Sequence, residues 1–250
     1  MFPIIPATSA TDSGNEEGIF FSGNFKVGYT NLVSDAGVVS SDVAAVGTGR
    51  QAPAGCEYGS DTGIFGFGYE AAPTGYTAIT NLVSNTGVVA TDTAGVGTAR
   101  QELSACSYGG DKGIFGFGDA AGNVSMTNLV SNVGVVASDV TGVGTARSYI
   151  AACGYGEDKG IFGFGTTGSA TAVSNLVSNA GVVASDVTGV GTARYGPAAT
   201  QYGGDKGIFG FGTDASRVSM TNLVSNAGVV ATDTTGVGTA RNYLAACSFN

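Results

Sequence analysis

The sequence predicts an all-β fold, and three observations carry the prediction. Glycine makes up 43 of 250 residues with no three-residue period, set among Val, Ile, Phe and Thr, a mixture that fits short strands joined by tight turns. The phrase GIFGFG returns at residues 63–68, 113–118, 160–165 and 207–212, with a worn copy, GIFFSG, at 18–23. No long segment carries apolar residues at helical spacing without a glycine interrupting it, which disfavours helix.

The repeat is measured by subtraction. The Gly that opens GIF stands at Gly18, Gly63, Gly113, Gly160 and Gly207, so units start near those positions. The Asn of NLVS stands at Asn31, Asn81, Asn128, Asn175 and Asn222, and the Arg of GTAR or GTGR at Arg50, Arg100, Arg147, Arg194 and Arg241. Asn to Arg is always 19 residues and Arg to the next GIF always 13, so all length variation falls between GIF and NLVS.

Each unit reads as four short strands. The first is of the type RSYIAACGYG (147–156); a Gly/Asp/Lys turn leads to the second, GIFGFG. A variable loop leads to the third, VSMTNLVS, and the turn SNxG to the fourth, GVVASD. Asn before Gly, and Gly-rich tetrads, supply positive φ cheaply at the turns. Four antiparallel strands in about 47 residues is the size of a propeller blade, so the expected architecture is a five-bladed β-propeller of four-stranded antiparallel blades. The alternative is a parallel β-solenoid, in which the units stack without closing.

Strand alternation places Phe115 and Phe117 on one face and Ile114, Gly116 and Gly118 on the other. The Phe rings of one blade are expected to fill the recess left by the glycines of the next. Residues 14–250 form the single expected propeller, closed by the C-terminal strand RNYLAACSFN at 241–250. At the N-terminus Ile5 stands for the Arg and Thr11 for the Cys, which leaves residues 1–13 as a spare strand or arm free to dock on an assembly. In the converse arrangement, the N-terminal copy pairs in the first blade and the C-terminal strand reaches out.

The order "AR…AAC" followed by "GIFGFG" resembles kelch-type repeats, in which a strand with an early Arg precedes a short apolar strand ending in paired glycines. The Trp and the double Gly of that family are missing. The homogenised TNLVSNxGVVAxDxxGVGTAR units also resemble repeats in structural proteins of tailed bacteriophages, including fibre-like ones. That resemblance implies a virion or extracellular appendage component with other virion proteins as partners. In architecture the chain is also similar to five-bladed lectins of the tachylectin type, although the motifs differ; this second resemblance implies a multivalent glycan-binding module with a host surface sugar as ligand.

Composition narrows the chemistry. Net charge is -9 and the sequence pI about 4.2, which argues against nucleic acid, whose phosphates call for Lys and Arg. The chain has no His, the commonest general base and metal ligand. Five near-equivalent units offer no single asymmetric constellation, so no enzyme, no cofactor and no metal are expected. The longest apolar runs are too short for a membrane span. The N-terminal residues lack the basic and apolar regions of a standard signal peptide. The fragment GFGTTG resembles a phosphate loop only superficially, with no Lys-Ser/Thr after it.

Three residue sets recur at fixed positions. Asp42, Asp92, Asp139, Asp186 and Asp233 each precede Arg50, Arg100, Arg147, Arg194 and Arg241 by eight residues. They are read as structural ion pairs that tie down the loop from fourth strand to first, because one Asp per loop is far short of what Ca²⁺ requires. Cys56, Cys106, Cys153 and Cys247 share one repeat position, with Thr200 in the other copy. They are read as free thiols crowded near the axis, with disulfides or a metal ring as the alternatives. Tyr58, Tyr108, Tyr155 and Tyr202, each followed within three residues by Asp61, Asp111, Asp158 or Asp205, are the candidate sugar ligands: a ring to stack on C–H groups and an acid to bind hydroxyls. Ordinary turn chemistry, with Tyr as a partly buried cap, accounts for the same pattern.

Overall fold

The computed structural model describes residues 18–21, 28–34, 36–44, 46–71 and 75–248. The expected arm at 1–13, Ser22 of the worn copy and the last two residues of the expected closing strand lie outside them. Among the described residues the secondary structure is all β, with no helix. The strands are β1 (Gly18–Phe21) and β2 (Thr30–Val33); β3 (Arg50–Gln51), β4 (Ala54–Tyr58), β5 (Thr62–Glu70) and β6 (Tyr76–Val83); β7 (Ser104–Tyr108), β8 (Lys112–Gly116) and β9 (Thr127–Val130); β10 (Ala151–Tyr155), β11 (Lys159–Gly163) and β12 (Ser174–Val177); β13 (Ala198–Tyr202), β14 (Lys206–Gly210) and β15 (Thr221–Val224).

Each repeat builds its own small antiparallel sheet, in the order β1-β2, β3-β5-β4 with β6 on β5, β7-β8-β9, β10-β11-β12 and β13-β14-β15, and no sheet closes on itself. In the third unit Cys106 faces Ile114 and Ile114 faces Leu129, and the other units keep this register. The expected fourth strand is reduced to isolated bridges, Val136 to Val130 and Val140 to Thr127 in the third unit. Its residues are largely exposed.

In the third, fourth and fifth units the second strand ends earlier than the phrase GIFGFG does, whereas β5 runs past it to Glu70, and the cause of the break is conformational. Phe67, Phe117, Phe164 and Phe211 all have φ near +63°, the left-handed region that costs an L-residue about 1–2 kcal/mol. In β5 this residue falls at a register shift between Gly66 and Gly68; in β8, β11 and β14 it ends the strand. The left-handed turn also overrides alternation. Phe115 faces the preceding unit, where its ring lies 5.2 Å from Phe67, whereas Phe117 faces the following unit, 5.2 Å from Phe162. The expectation of both rings on one face is corrected accordingly.

The recess itself is present. A Cβ on Gly66 would meet the Phe115 ring at 2.9 Å, one on Gly116 the Phe162 ring at 2.7 Å, and one on Gly163 the Phe209 ring at 2.7 Å. Phe115, Phe162 and Phe209 are completely buried. At the worn first copy Phe21 stands where the others have Gly, and it stacks on Phe65 at 4.5 Å instead of receiving it.

The core therefore lies between units. One cluster joins Tyr58, Ile64 and Phe67 to Leu103, Phe115 and Val130; a second joins Tyr108, Ile114 and Phe117 to Ile150, Phe162 and Val177; a third joins Tyr155, Ile161 and Phe164 to Phe209 and Val224. Successive sheets also touch through their first strands, β4 with β7, β7 with β10 and β10 with β13. At the turn between first and second strands, Gly59, Gly109 and Gly156 N–H groups donate to the carbonyls of Asp111, Asp158 and Asp205 in the next unit. A single unit cannot bury its own apolar faces, which is the property of a repeat array.

Candidate functional site

The residues with chemistry to offer converge on the junctions between units, and the junction of the second and third shows how. The loop GVGTAR delivers Arg100 to a fully buried position. Its guanidinium lies 4.1 Å from the centroid of Phe67, a cation–π contact that gains strength on desolvation. Its Nε donates to the Phe117 carbonyl at 2.8 Å, one Nη to the Thr98 carbonyl at 3.0 Å and the other to Asn128 Oδ1 at 2.7 Å. Asn128 Nδ2 donates in turn to Asp139 Oδ1 at 2.9 Å. Asp139 Oδ2 accepts from the Thr98 hydroxyl at 2.7 Å and the Thr98 N–H at 3.0 Å. The circuit Thr–Asp–Asn–Arg thus closes on the same loop that began it.

The left-handed Phe belongs to this circuit, because it aims its carbonyl at the buried Nε. Arg147 with Phe164, Asn175, Asp186 and Thr145, and Arg194 with Phe211, Asn222, Asp233 and Thr192, repeat the bonds. Arg50, Asn81, Asp92 and Thr48 repeat the core of it. Burial pushes each of these four guanidinium pKa values down to about 10, so all stay charged at neutral pH. Burial alone would raise the Asp139 carboxyl, but the bonds from Thr98 and Asn128 and the nearby Arg100 together hold it below its ordinary value.

The expected Asp–Arg pairing is displaced by one unit. Arg100 lies 4.0 Å from Asp139, not paired with Asp92 eight residues before it, and Arg194 lies 3.9 Å from Asp233, not paired with Asp186. Asp92 acts on Arg50 and Asp186 on Arg147 in the same way. Asp and Arg both recur once per repeat, so periodicity alone does not say which of two successive Asp residues an Arg will meet. The loop is tied down by the following unit, through the Thr98 hydroxyl and N–H on Asp139. Among the described residues Asp42 meets no Arg and Arg241 no Asp.

The tyrosines expected to stack on sugar are placed differently from that reading. Tyr58, Tyr108 and Tyr155 are buried, and only Tyr202 is half-exposed. A Cβ on Gly134, Gly181 or Gly228, in the turn before the next unit's fourth strand, would lie 2.9 Å from the ring of Tyr58, Tyr108 or Tyr155. Those rings are core, with no open face. Asp61 is exposed and the other three acids are half-exposed, and all are engaged: Asp111 with Lys112 and Asn132, Asp158 with Lys159 and Asn179, Asp205 with Lys206 and Asn226, and Asp61 with Asn85. These bonds brace the first and third turns of the second to fifth units along one edge of the array.

The four cysteines are free thiols. Burial pushes Cys56 and Cys153 up to about 12 and Cys106 well above its ordinary value, so none of the three is a nucleophile at neutral pH. Cys247 is exposed. Cys56 is half-buried and Cys106 and Cys153 are buried, so titration of the native chain with a chromogenic disulfide should release the Cys247 equivalent rapidly, Cys56 more slowly and the last two only on denaturation; rapid release of more than two would contradict this burial.

One cluster had no counterpart in the sequence reading. Tyr149, Tyr195 and Tyr243 come from three successive units, yet all three rings meet, with centroids 5.3–6.5 Å apart. The backbone brings them together: N–H groups of Glu102, Tyr149, Gly196 and Tyr243 each donate to the carbonyl of the equivalent residue one unit back, Ala52, Glu102, Tyr149 and Gly196. Burial and then a bond to Glu102 raise the Tyr149 phenol, and burial raises Glu102. Tyr243 remains 59% exposed. The available signal was the position two residues after each Arg, occupied by Ala52, Glu102, Tyr149, Gly196 and Tyr243. Its varied residues conceal a shared geometry. Among the described residues no group of His, Cys, Asp and Glu is placed to hold a metal ion. No protein-family model matches the chain, and no curated protein sequence matches it.

Proposed function

We propose that this chain is a non-enzymatic structural component, a repeat scaffold of the virion-surface or tail-fibre kind whose repeats it resembles. The observation that carries the reading is the fate of the polar motif. In every junction the Arg, Asn, Asp and Thr of the repeat bond to one another across two units, and the most conspicuous repeated chemistry is thereby spent on holding units together. The units are propeller-type blades in an open array. The five-bladed ring is the closed form of this architecture; it requires Phe20 to enter the recess at Gly210, and Phe20 is 54% exposed.

A glycan-binding role is the second reading, and it rests on the Tyr149, Tyr195 and Tyr243 cluster beside Glu102 in place of the covered tyrosines. Aromatic faces beside acids suit sugar C–H groups and hydroxyls. The two readings separate by experiment. Antibodies raised to the chain should decorate purified virions or appendages from the source, and a signal confined to the soluble cell fraction would sink the structural reading. A glycan array probed with the intact chain and with Tyr243→Ala tests the second: sugar binding lost in the variant would establish it.

A further inference from the structure

The first and last units present the two halves of the junction that joins every internal pair, each half missing its partner. At the C-terminal end Arg241 lies 3.9 Å from the Phe211 centroid, as its mates lie on theirs. Yet its one side-chain hydrogen bond among the described residues goes to the Thr239 carbonyl, and it is exposed where Arg50, Arg100, Arg147 and Arg194 are fully buried. Among the described residues no Asp reaches Thr239, and a Cβ on Gly238 would meet nothing within 4 Å, whereas one on Gly97, Gly144 or Gly191 would strike the Asp and Asn of the next unit. A Cβ on Gly210 would meet only Thr221, at 3.3 Å. Leu223 is 41% exposed, where its mate Leu176 is covered by Gly228 of the next unit.

The N-terminal end holds the complements. Asn31 Nδ2 donates to Asp42 at 2.8 Å, as in every other unit. Among the described residues no Arg reaches Asn31 Oδ1 and no Thr reaches Asp42. Phe20 is exposed where Phe115, Phe162 and Phe209 are buried in a neighbour's glycine recess. Gly37 has open space where a Cβ would lie, whereas its mates Gly87, Gly134, Gly181 and Gly228 sit against a neighbour's Leu.

We propose that the two ends join head to tail between two copies of this chain, with Phe20 in the recess at Gly210, Asn31 and Asp42 accepting from Arg241 and Thr239, and the Gly37 turn over Leu223. The occupant is a second copy because each contact reproduces one that already joins units inside the chain. The contact is heterologous, so it propagates into a filament unless the rotation per copy closes a ring of several chains. It adds an interaction surface that does not depend on the function proposed above.

Sedimentation of the full chain over a wide concentration range tests this, with circular dichroism and melting temperature as fold controls. The wild type should form oligomers that grow with concentration. Phe20→Ala and Arg241→Ala should each weaken association at least ten-fold at unchanged melting temperature, because both side chains are exposed in the single chain. Mixed together, the two variants retain one intact end each and should stop at a heterodimer. A wild type that stays monomeric at all concentrations, as a chain closing its own ring would, overturns the proposal. Association insensitive to both substitutions, or a mixture that grows past the dimer, overturns it equally.

Discussion

Replacing Arg147 with alanine is expected to lower stability by about 3–5 kcal/mol. The guanidinium is fully buried and gives three bonds, to the Phe164 carbonyl at 2.9 Å, the Thr145 carbonyl at 3.0 Å and Asn175 Oδ1 at 2.7 Å. Truncation strands these acceptors. A buried group left unsatisfied costs about 1–3 kcal/mol, and the void over the Phe117 ring, now 4.3 Å from the guanidinium carbon, adds a cavity penalty. Release of the buried charge offsets part of the loss, which keeps the net figure below the sum. Arg147→Lys should recover little, since a compact ammonium cannot reach three divergent acceptors at once. Denaturant unfolding should also broaden or split, because units on either side of a weakened junction lose their coupling. Arg241→Ala is the internal control. The same motif position is exposed there, so its midpoint should move little. A wild-type midpoint for Arg147→Ala would refute the role assigned to the circuit.

Gly116→Leu should cost about 1–3 kcal/mol or more through overpacking. Even its Cβ would lie 2.7 Å from the tip of the Phe162 ring and 3.1 Å from two further ring atoms, and that ring is completely buried with nowhere to move. The matched control is Gly210→Leu, where a Cβ would meet only a Thr221 methyl at 3.3 Å. Thermal unfolding of the pair, at concentrations low enough to keep the chain monomeric, should separate a large shift from a small one. Equal shifts would mean that strand conformation, not the neighbouring ring, sets the demand for glycine.

Much of the fold was legible because it is local. The turns SNxG and the Gly/Asp/Lys tetrads, the period of about 47 residues and the Phe-to-Gly complementarity all follow from residue type and spacing. The candidate site was legible only in its membership. Asp, Arg and Asn recur in register, but periodicity left open which unit each one serves. Three of the four tyrosines expected as ligands are buried: Tyr108 reads as a turn aromatic, and only the fold lays Gly181 of the next unit over its ring.

By itself the sequence determined the β class, the number of units and the residues that recur in every junction, because backbone preference and alternation act within a few residues. Tertiary structure alone decided three further matters. The left-handed Phe117 sends its ring away from Phe115, since the buried Arg100 takes its carbonyl. The circuit joins Arg100 to Asp139 and not to Asp92, since packing brings successive units face to face. Phe20 is exposed, and among the described residues no ring occupies the recess at Gly210. Whether equivalent units close, stack or join another chain depends on the angle between neighbours, which no repeat of residue types encodes.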